Sequence, residues 1–352
     1  MLRSRFGKLA INVLAGAMLM TAAACGGGGG DTADAGGDTG GQGSGLKVGL
    51  AFDVGGRGDK SFNDSAYAGL ERAQKELGAE IKDLSPAGDG SNRGELLRQL
   101  ADAGFNPIIG VGFAYAEDVE AIAKEYPDIE FAIVDSASSG PNVTGLLFAE
   151  EQGSYLAGVA AALKSEAGHI GFVGGVESDL IKKFEAGYVA GAKATKPDIK
   201  IDVTYLTPDG DFTGFRAPDK GKTAAEKMYQ DGADIVYHAA GDSGLGVFQA
   251  AAAAGEGKWA IGVDSDQAQT VAEADLQKII MTSMLKRVDV AVFEYIKSFQ
   301  GGAKGGQDIT YDLKLDGVGL ATTGGHIEDI QSQLDEAKQK IVSGEITVPA
   351  KP

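Results

Sequence analysis

The chain has 352 residues, with 50 acidic residues against 32 basic ones and a formal charge of -18. An acidic surplus of that size argues against a nucleic-acid binder, because a phosphate backbone is gripped by basic side chains. One cysteine excludes an intrachain disulfide and a thiolate metal cluster.

The first segment is not part of a fold. Arg3, Arg5 and Lys8 precede an apolar run over residues 9–20, and Ala22, Ala23 and Ala24 lead to Cys25. This is a signal-peptide layout over residues 1–24, too short for a comfortable transmembrane helix. Cys25 stands at the bacterial lipobox position, with Ala22 where leucine is usual. The expectation is a lipid anchor on Cys25, tethering the mature protein to the outer face of the membrane. Residues 26–45 are largely glycine, aspartate and threonine. They cannot enter a core, and as a random coil they reach about 25 Å.

From Leu46 short apolar runs alternate with longer amphipathic ones. KVGLAF reads as a strand, followed by the loop DVGGRGDKSFND and a helix over about 65–77, with Tyr67, Leu70, Ala73 and Leu77 as its stripe. AEIKDL, PIIGVG and EFAIVD continue as strands, separated by helices. The same grammar resumes after NVTGLLF, with strands at GHIGFVGG, IDVTYL, ADIVYHAAG and KWAIGVD. QKIIMTSMLK adds a strand-like piece, RVDVAVFEYIKSFQGG a helix, ITYDLKLDGVGLATT small β pieces, and a last helix lies near IEDIQSQLDEAKQKIVSG.

Repeated strand–helix units predict parallel sheets covered on both faces, and some 300 residues exceed what one simple core holds. The predicted fold is α/β and bilobed. One lobe is expected over residues 46–150 and about 265–301, the other over 151–264 and about 302–350. Ligands of open parallel sheets bind at the carboxyl ends of strands. That rule selects the residues after KVGLAF, EFAIVD, ADIVYHAAG and KWAIGVD.

Motifs for chemistry fail. GKT at residues 221–223 lacks the earlier glycine of a phosphate loop, where Arg216 stands. GDSGLG at 241–246 follows a strand and opens a helix, so its amides suit hydroxyls or an anion, but it lacks the dinucleotide order. His169, His238 and His326 are scattered, and no nucleophile signature is present. His238 reads as a hydrogen-bonded histidine at the end of its strand. No enzyme activity, cofactor or metal is expected.

The stretch DVGGRGDKSFND resembles the opening signature of the BMP family, the PnrA-like (basic membrane protein) lipoproteins. FAIVD, EEQGSYLAG, GHIGFVGG, FEAGYVAGAK, YHAAGDSGLGVFQAA, AIGVDSDQ and TSMLKRVDVAVFEYI follow in the family's order, over about 47–326. The resemblance implies a type I periplasmic-binding-protein fold serving an ABC importer, with a purine nucleoside as ligand and ABC permease subunits as partners; a monomer is the default expectation for a receptor that must open and close.

It implies that Phe62 stacks on the base with Asn63 as a polar contact at the base edge. Phe215 is the second aromatic, with Phe212 three residues earlier as the alternative. Asp264 receives the ribose hydroxyls, Lys286 reaches the sugar, and Asp53, Asp135 and Gly241 line other strand ends. Asp53, Asp135 and Asp264 also read as helix caps. A sugar or another small polar ligand in the same fold remains open, as do a nucleoside-modifying enzyme and an adhesin. The stretch Arg216 to Pro218 departs from the family's usual small, acidic pattern.

Overall fold

The computed structural model describes residues 45–352. The leader, Cys25 and nearly all of the tether lie outside the described residues. In chain order the first group of elements is β1 (Lys47–Ala51), α1 (Phe62–Leu77), β2 (Glu80–Leu84), α2 (Arg93–Asp102), β3 (Ile108–Gly110), α3 (Ala116–Glu125), β4 (Phe131–Val134) and β5 (Val143–Phe148). The second group is α4 (Glu150–Lys164), β6 (His169–Val176), α5 (Asp179–Thr195), β7 (Lys200–Thr207), α6 (Pro218–Gln230), β8 (Ile235–Ala239), α7 (Gly244–Ala254) and β9 (Trp259–Asp264). The single turns α8 (Gln267–Thr270) and α9 (Ala274–Gln277) then lead to β10 (Ile280–Lys286). Last come α10 (Val288–Gln300), β11 (Gln307–Tyr311), β12 (Val318–Leu320) and α11 (Gln331–Val342).

The strands form two six-stranded sheets, β2-β1-β3-β4-β5-β11 and β7-β6-β8-β9-β10-β12. All pairs are parallel except β10 with β12. Alternation along each strand feeds two cores, as a pleat of period two requires. Val48 and Leu50 face the α1 side, while Ala51 joins Leu97 and Val119 on the α2–α3 side. In the second sheet Ile235 and Tyr237 join the α4–α5 side, and Val236 packs with Met228 and Phe248 on the α6–α7 side. Burial on both faces explains why these strands read as near-continuous apolar runs.

The bilobed α/β expectation holds, but the expected lobe boundaries need correction. Residues after Asp264 stay in the second lobe, because β10 pairs with β9. The chain returns to the first lobe only at α10, whose Asp289 amide donates to the Ser65 hydroxyl of α1. It remains there through β11, which pairs with β5, and β12 then rejoins the second sheet. Periodicity shows that a segment is a strand; which sheet it joins is set by partners distant in sequence. The three crossings lie side by side: the Ala149 amide donates to the Tyr311 carbonyl and the Arg287 amide to the Gly317 carbonyl.

α4 and α5 pack backbone to backbone through glycines. A Cβ on Gly187 would lie 2.1 Å from the Glu151 carbonyl oxygen, and one on Gly191 2.0 Å from that of Tyr155. Gly187→Ala is therefore expected to destabilise the fold by about 1–3 kcal/mol through overpacking. Gly319→Ala, at a site with open space around it, is the control expected to change little. Urea unfolding of both variants checks this.

Candidate functional site

The loop after β1 is organised by carboxylates. Asp59 accepts the backbone N–H groups of Ser61 (3.0 Å), Asn63 (2.8 Å) and Asp64 (3.1 Å), and the Asn63 amide nitrogen at 3.1 Å. These are the orphan donors at the start of α1, so the helix begins at Phe62, three residues before the predicted start. Asp64 in turn accepts from Gly58 and Lys60. Gly56, with φ of 62°, takes a left-handed turn in the same loop. The result holds Phe62, on the first turn of α1, at the cleft. Burial pushes the Asp59 carboxyl up to about 7, against the pull of those N–H bonds.

Between the lobes lies a cavity with about 540 Å³ of space free of protein atoms, counting the part that opens to solvent. All eight sequence-predicted ligand residues line it: Asp53, Phe62, Asn63, Asp135, Phe215, Gly241, Asp264 and Lys286. Phe113, Phe184 and Leu180 add apolar wall, and Asp59 and Asp242 add carboxylates. Phe215, not Phe212, is the aromatic of its turn that reaches the cavity. Its ring lies where a side chain on Gly175 of β6 would stand, 2.5 Å from a Cβ placed there.

Asp135 and Asp264 occupy matching places, after β4 and at the end of β9, and both take left-handed backbone with φ of 69° and 63°. Aspartate tolerates this region better than most residues, and such conformations gather at functional sites. Neither residue, nor Asp53, caps a helix: α1 is preceded by Ser61, α8 by Asp266, and β5 follows Asp135.

Lys286 ends β10 and is 2% exposed. Its Nζ lies 2.6 Å from the Asp135 carboxylate and 3.3 Å from Glu150, which is fully buried at the start of α4. Burial works against the ammonium, yet Asp135, Glu150 and Asp264 outweigh it and hold its pKa above the ordinary lysine value. Burial raises the Asp264 carboxyl, opposed by Lys286 and by the Ser61 hydroxyl, which donates to Oδ2 at 2.5 Å. That bond runs from the first lobe to the second, as does the Ser265 hydroxyl's bond to the Ser61 carbonyl at 3.1 Å.

Asn63 is already engaged at both ends of its amide. Its oxygen accepts the Asp53 N–H at 2.9 Å and its nitrogen donates to Asp59. One N–H and one lone pair remain to it. Asp53 is paired with the buried Arg93 of α2 at 3.2 Å; burial raises its carboxyl and Arg93 opposes the rise. Sequence reasoning missed Asp59, Arg93 and Glu150 as parts of the site. Asp59 was legible as a capping carboxylate just before a helix. Glu150 lay inside the quoted EEQGSYLAG without a partner to reveal it, and nothing local marks Arg93. Among the described residues no group of three or more His, Cys, Asp or Glu is placed to hold a metal ion. GKT lies inside α6 and is not a phosphate loop.

The family model described as "ABC transporter substrate-binding protein PnrA-like" matches residues 46–352. The chain belongs to the PnrA-like (BMP) family of ABC transporter substrate-binding proteins. It is 38% identical over 336 residues to the ABC transporter nucleoside-binding protein BmpA of Lactococcus lactis, covering 90% of this chain and 93% of that one. It is 36% identical over 321 residues to the CD4+ T-cell-stimulating antigen of Listeria monocytogenes, covering 87% and 88%. Among solved structures it resembles an ABC transporter solute-binding protein from Aeropyrum pernix, with TM-score 0.74 and 31% identity, over 86% of this chain and 94% of that one. As a PnrA-like protein the chain is a membrane-anchored, extracytoplasmic receptor for an ABC importer, and it binds solute without transforming it.

One buried histidine supports the PnrA-like cleft from below. His238, on β8 beside the cavity-lining Ala239, bonds through Nε2 to Gln267 Oε1 at 3.0 Å. That oxygen also accepts the Val263 N–H, so Nε2 carries the proton. Burial pushes the His238 pKa down to about 4. Between about 6.5 and 4 the unfolded chain binds a proton that the folded one refuses. Stability should then fall as pH drops through this window, by up to about 1.4 kcal/mol per pH unit. The excess stability of the wild type over His238→Gln, measured by urea unfolding, is expected to shrink from pH 7 to pH 4; a constant difference would contradict it.

Proposed function

We propose that this chain binds a purine nucleoside between its lobes and delivers it to the permease of its ABC importer. The observation that carries the reading is the composition of one cavity: aromatic rings from both lobes, a rim of carboxylates and a single buried ammonium. A purine is flat and apolar on its faces. Phe62 and Phe215 suit those faces, and such contacts contribute about 1–3 kcal/mol per base. Ribose hydroxyls are donors, and Asp264 and Asp135 accept. Lys286, oriented by Asp135 and Glu150, reaches a hydroxyl oxygen. Asn63 and Asp53 meet the base edge, and Gly241 offers close approach of backbone to the sugar.

The same groups argue against a nucleotide. With Asp53 neutralised by Arg93 and Asp59 spent on backbone donors, Asp135, Asp242 and Asp264 still line the space with one ammonium among them, so a phosphate would meet net repulsion. The relative from Lactococcus lactis, named as a nucleoside-binding protein, agrees with this reading.

Calorimetric titration of the purified protein, unfolded and refolded to strip carried-over ligand, tests the proposal. Guanosine, inosine or adenosine should bind, and AMP should bind far more weakly. The 2′-deoxy compounds should lose roughly ten- to hundredfold in affinity, because a buried acceptor is left unpaired. Phe62→Ala should weaken nucleoside binding at least tenfold while leaving the thermal midpoint near that of the wild type; Asp264→Asn should weaken it as much and also lower the midpoint, because buried Lys286 loses a countercharge. Binding of free ribose with no response to nucleosides would make the protein a sugar receptor instead.

A further inference from the structure

We propose that Phe212 is an interlobe latch: its ring, seated against Phe113 and Arg93 of the opposite lobe, sets how long the closed cleft keeps its ligand. The inference rests on the cleft being the receptor site proposed above. It does not depend on which ligand that site takes.

Phe212 opens a short 3-10 turn, Phe212–Arg216, that follows β7 in the second lobe. The turn is braced from its own side. Asp211 accepts the Thr213 N–H and hydroxyl, Thr207 donates to the Asp211 carbonyl, and Ser243 donates to the Gly214 carbonyl while accepting the Ala217 N–H. From this mount Phe215 lines the cavity, whereas Phe212 does not. The Phe212 ring meets Phe113 of the first lobe edge to face, with centroids 5.6 Å apart and planes at 64°. The Arg93 guanidinium lies 5.0 Å from the same ring's centroid.

Arg93 is a rigid partner. It is 6% exposed, bonded through Nη2 to Asp53 and through Nη1 to the Gly90 carbonyl at 3.1 Å, and it lies 5.6 Å from the Tyr115 ring centroid. The guanidinium that holds a cavity carboxylate therefore also holds the opposing lobe's aromatic. A cation–π contact and an aromatic pair are each modest, and stronger where water is excluded. Both exist only while the lobes are together, so they slow opening without assisting the first encounter.

The test measures guanosine association and dissociation on immobilised protein by surface plasmon resonance. Phe212→Ala should speed dissociation roughly tenfold and leave the association rate within about twofold. Phe212→Tyr, which keeps the ring, should retain slow release, and this rescue separates a latch from a folding defect. An unchanged dissociation rate, or a loss confined to association, would overturn the proposal. Hydrogen exchange supplies a reading that needs no nucleoside. Amides at Phe113–Tyr115, in the lobe not mutated, should exchange faster in Phe212→Ala, and equal exchange would sink the latch. Failure of the wild type to bind guanosine, inosine and adenosine alike would remove the nucleoside reading, leaving exchange to decide the latch.

Discussion

Lys286 carries its ammonium to a place that water hardly reaches, and an ammonium there is tolerable only with partners. The partners come from different parts of the molecule: Asp135 from the first lobe and Glu150 from the first crossing between lobes. One charge thus ties both lobes and two of the three crossings to the floor of the cleft. Removing a single partner of such a group is far more costly than replacing the whole set. This constrains Asp135, Glu150 and Lys286 together, and it fixes where a sugar hydroxyl would find both a donor and an acceptor.

The carboxylates around this centre are spent on different tasks. Asp59 is consumed by backbone donors and shapes the loop that presents Phe62. Asp53 is held by Arg93, and Asp264 by Ser61 of the opposite lobe. A cleft that looks uniformly acidic in sequence is, in the fold, a set of carboxylates of which Asp53, Asp59, Asp135 and Asp264 are each fixed by a named donor. Preorganisation of that kind lowers the ordering cost of binding.

Much of this was legible before the fold was known. FAIVD and KWAIGVD end in aspartates at the carboxyl ends of parallel strands, and a general rule about such sheets brought Asp135 and Asp264 to one cavity. Phe62 and Asn63 were marked by the loop motif, and Phe215 by the same family pattern. The lobe membership of β10 and β11 was not legible, because a strand's own residues do not show which sheet it joins: β10 pairs with β9 and β11 with β5. Arg93 and Glu150 were hidden for a related reason. A buried charge on an amphipathic helix looks like a solvated one until its partner, forty residues upstream for Arg93, is seen beside it.

The two sheets share one plan, with strand orders that superpose position by position, and three short connectors hold them side by side. Three tethers in a row leave one easy motion, a rotation about the line through them. Under such a rotation displacement grows with distance from the axis, as along a lever. Lys286 sits beside a connector and travels little, while groups farther from the connectors travel more. Opening is therefore graded: interlobe contacts far from the connectors part before the pairing of Lys286 with Asp135. The deep end of the cleft acts as a pivot that keeps the lobes in register through each cycle of loading and release.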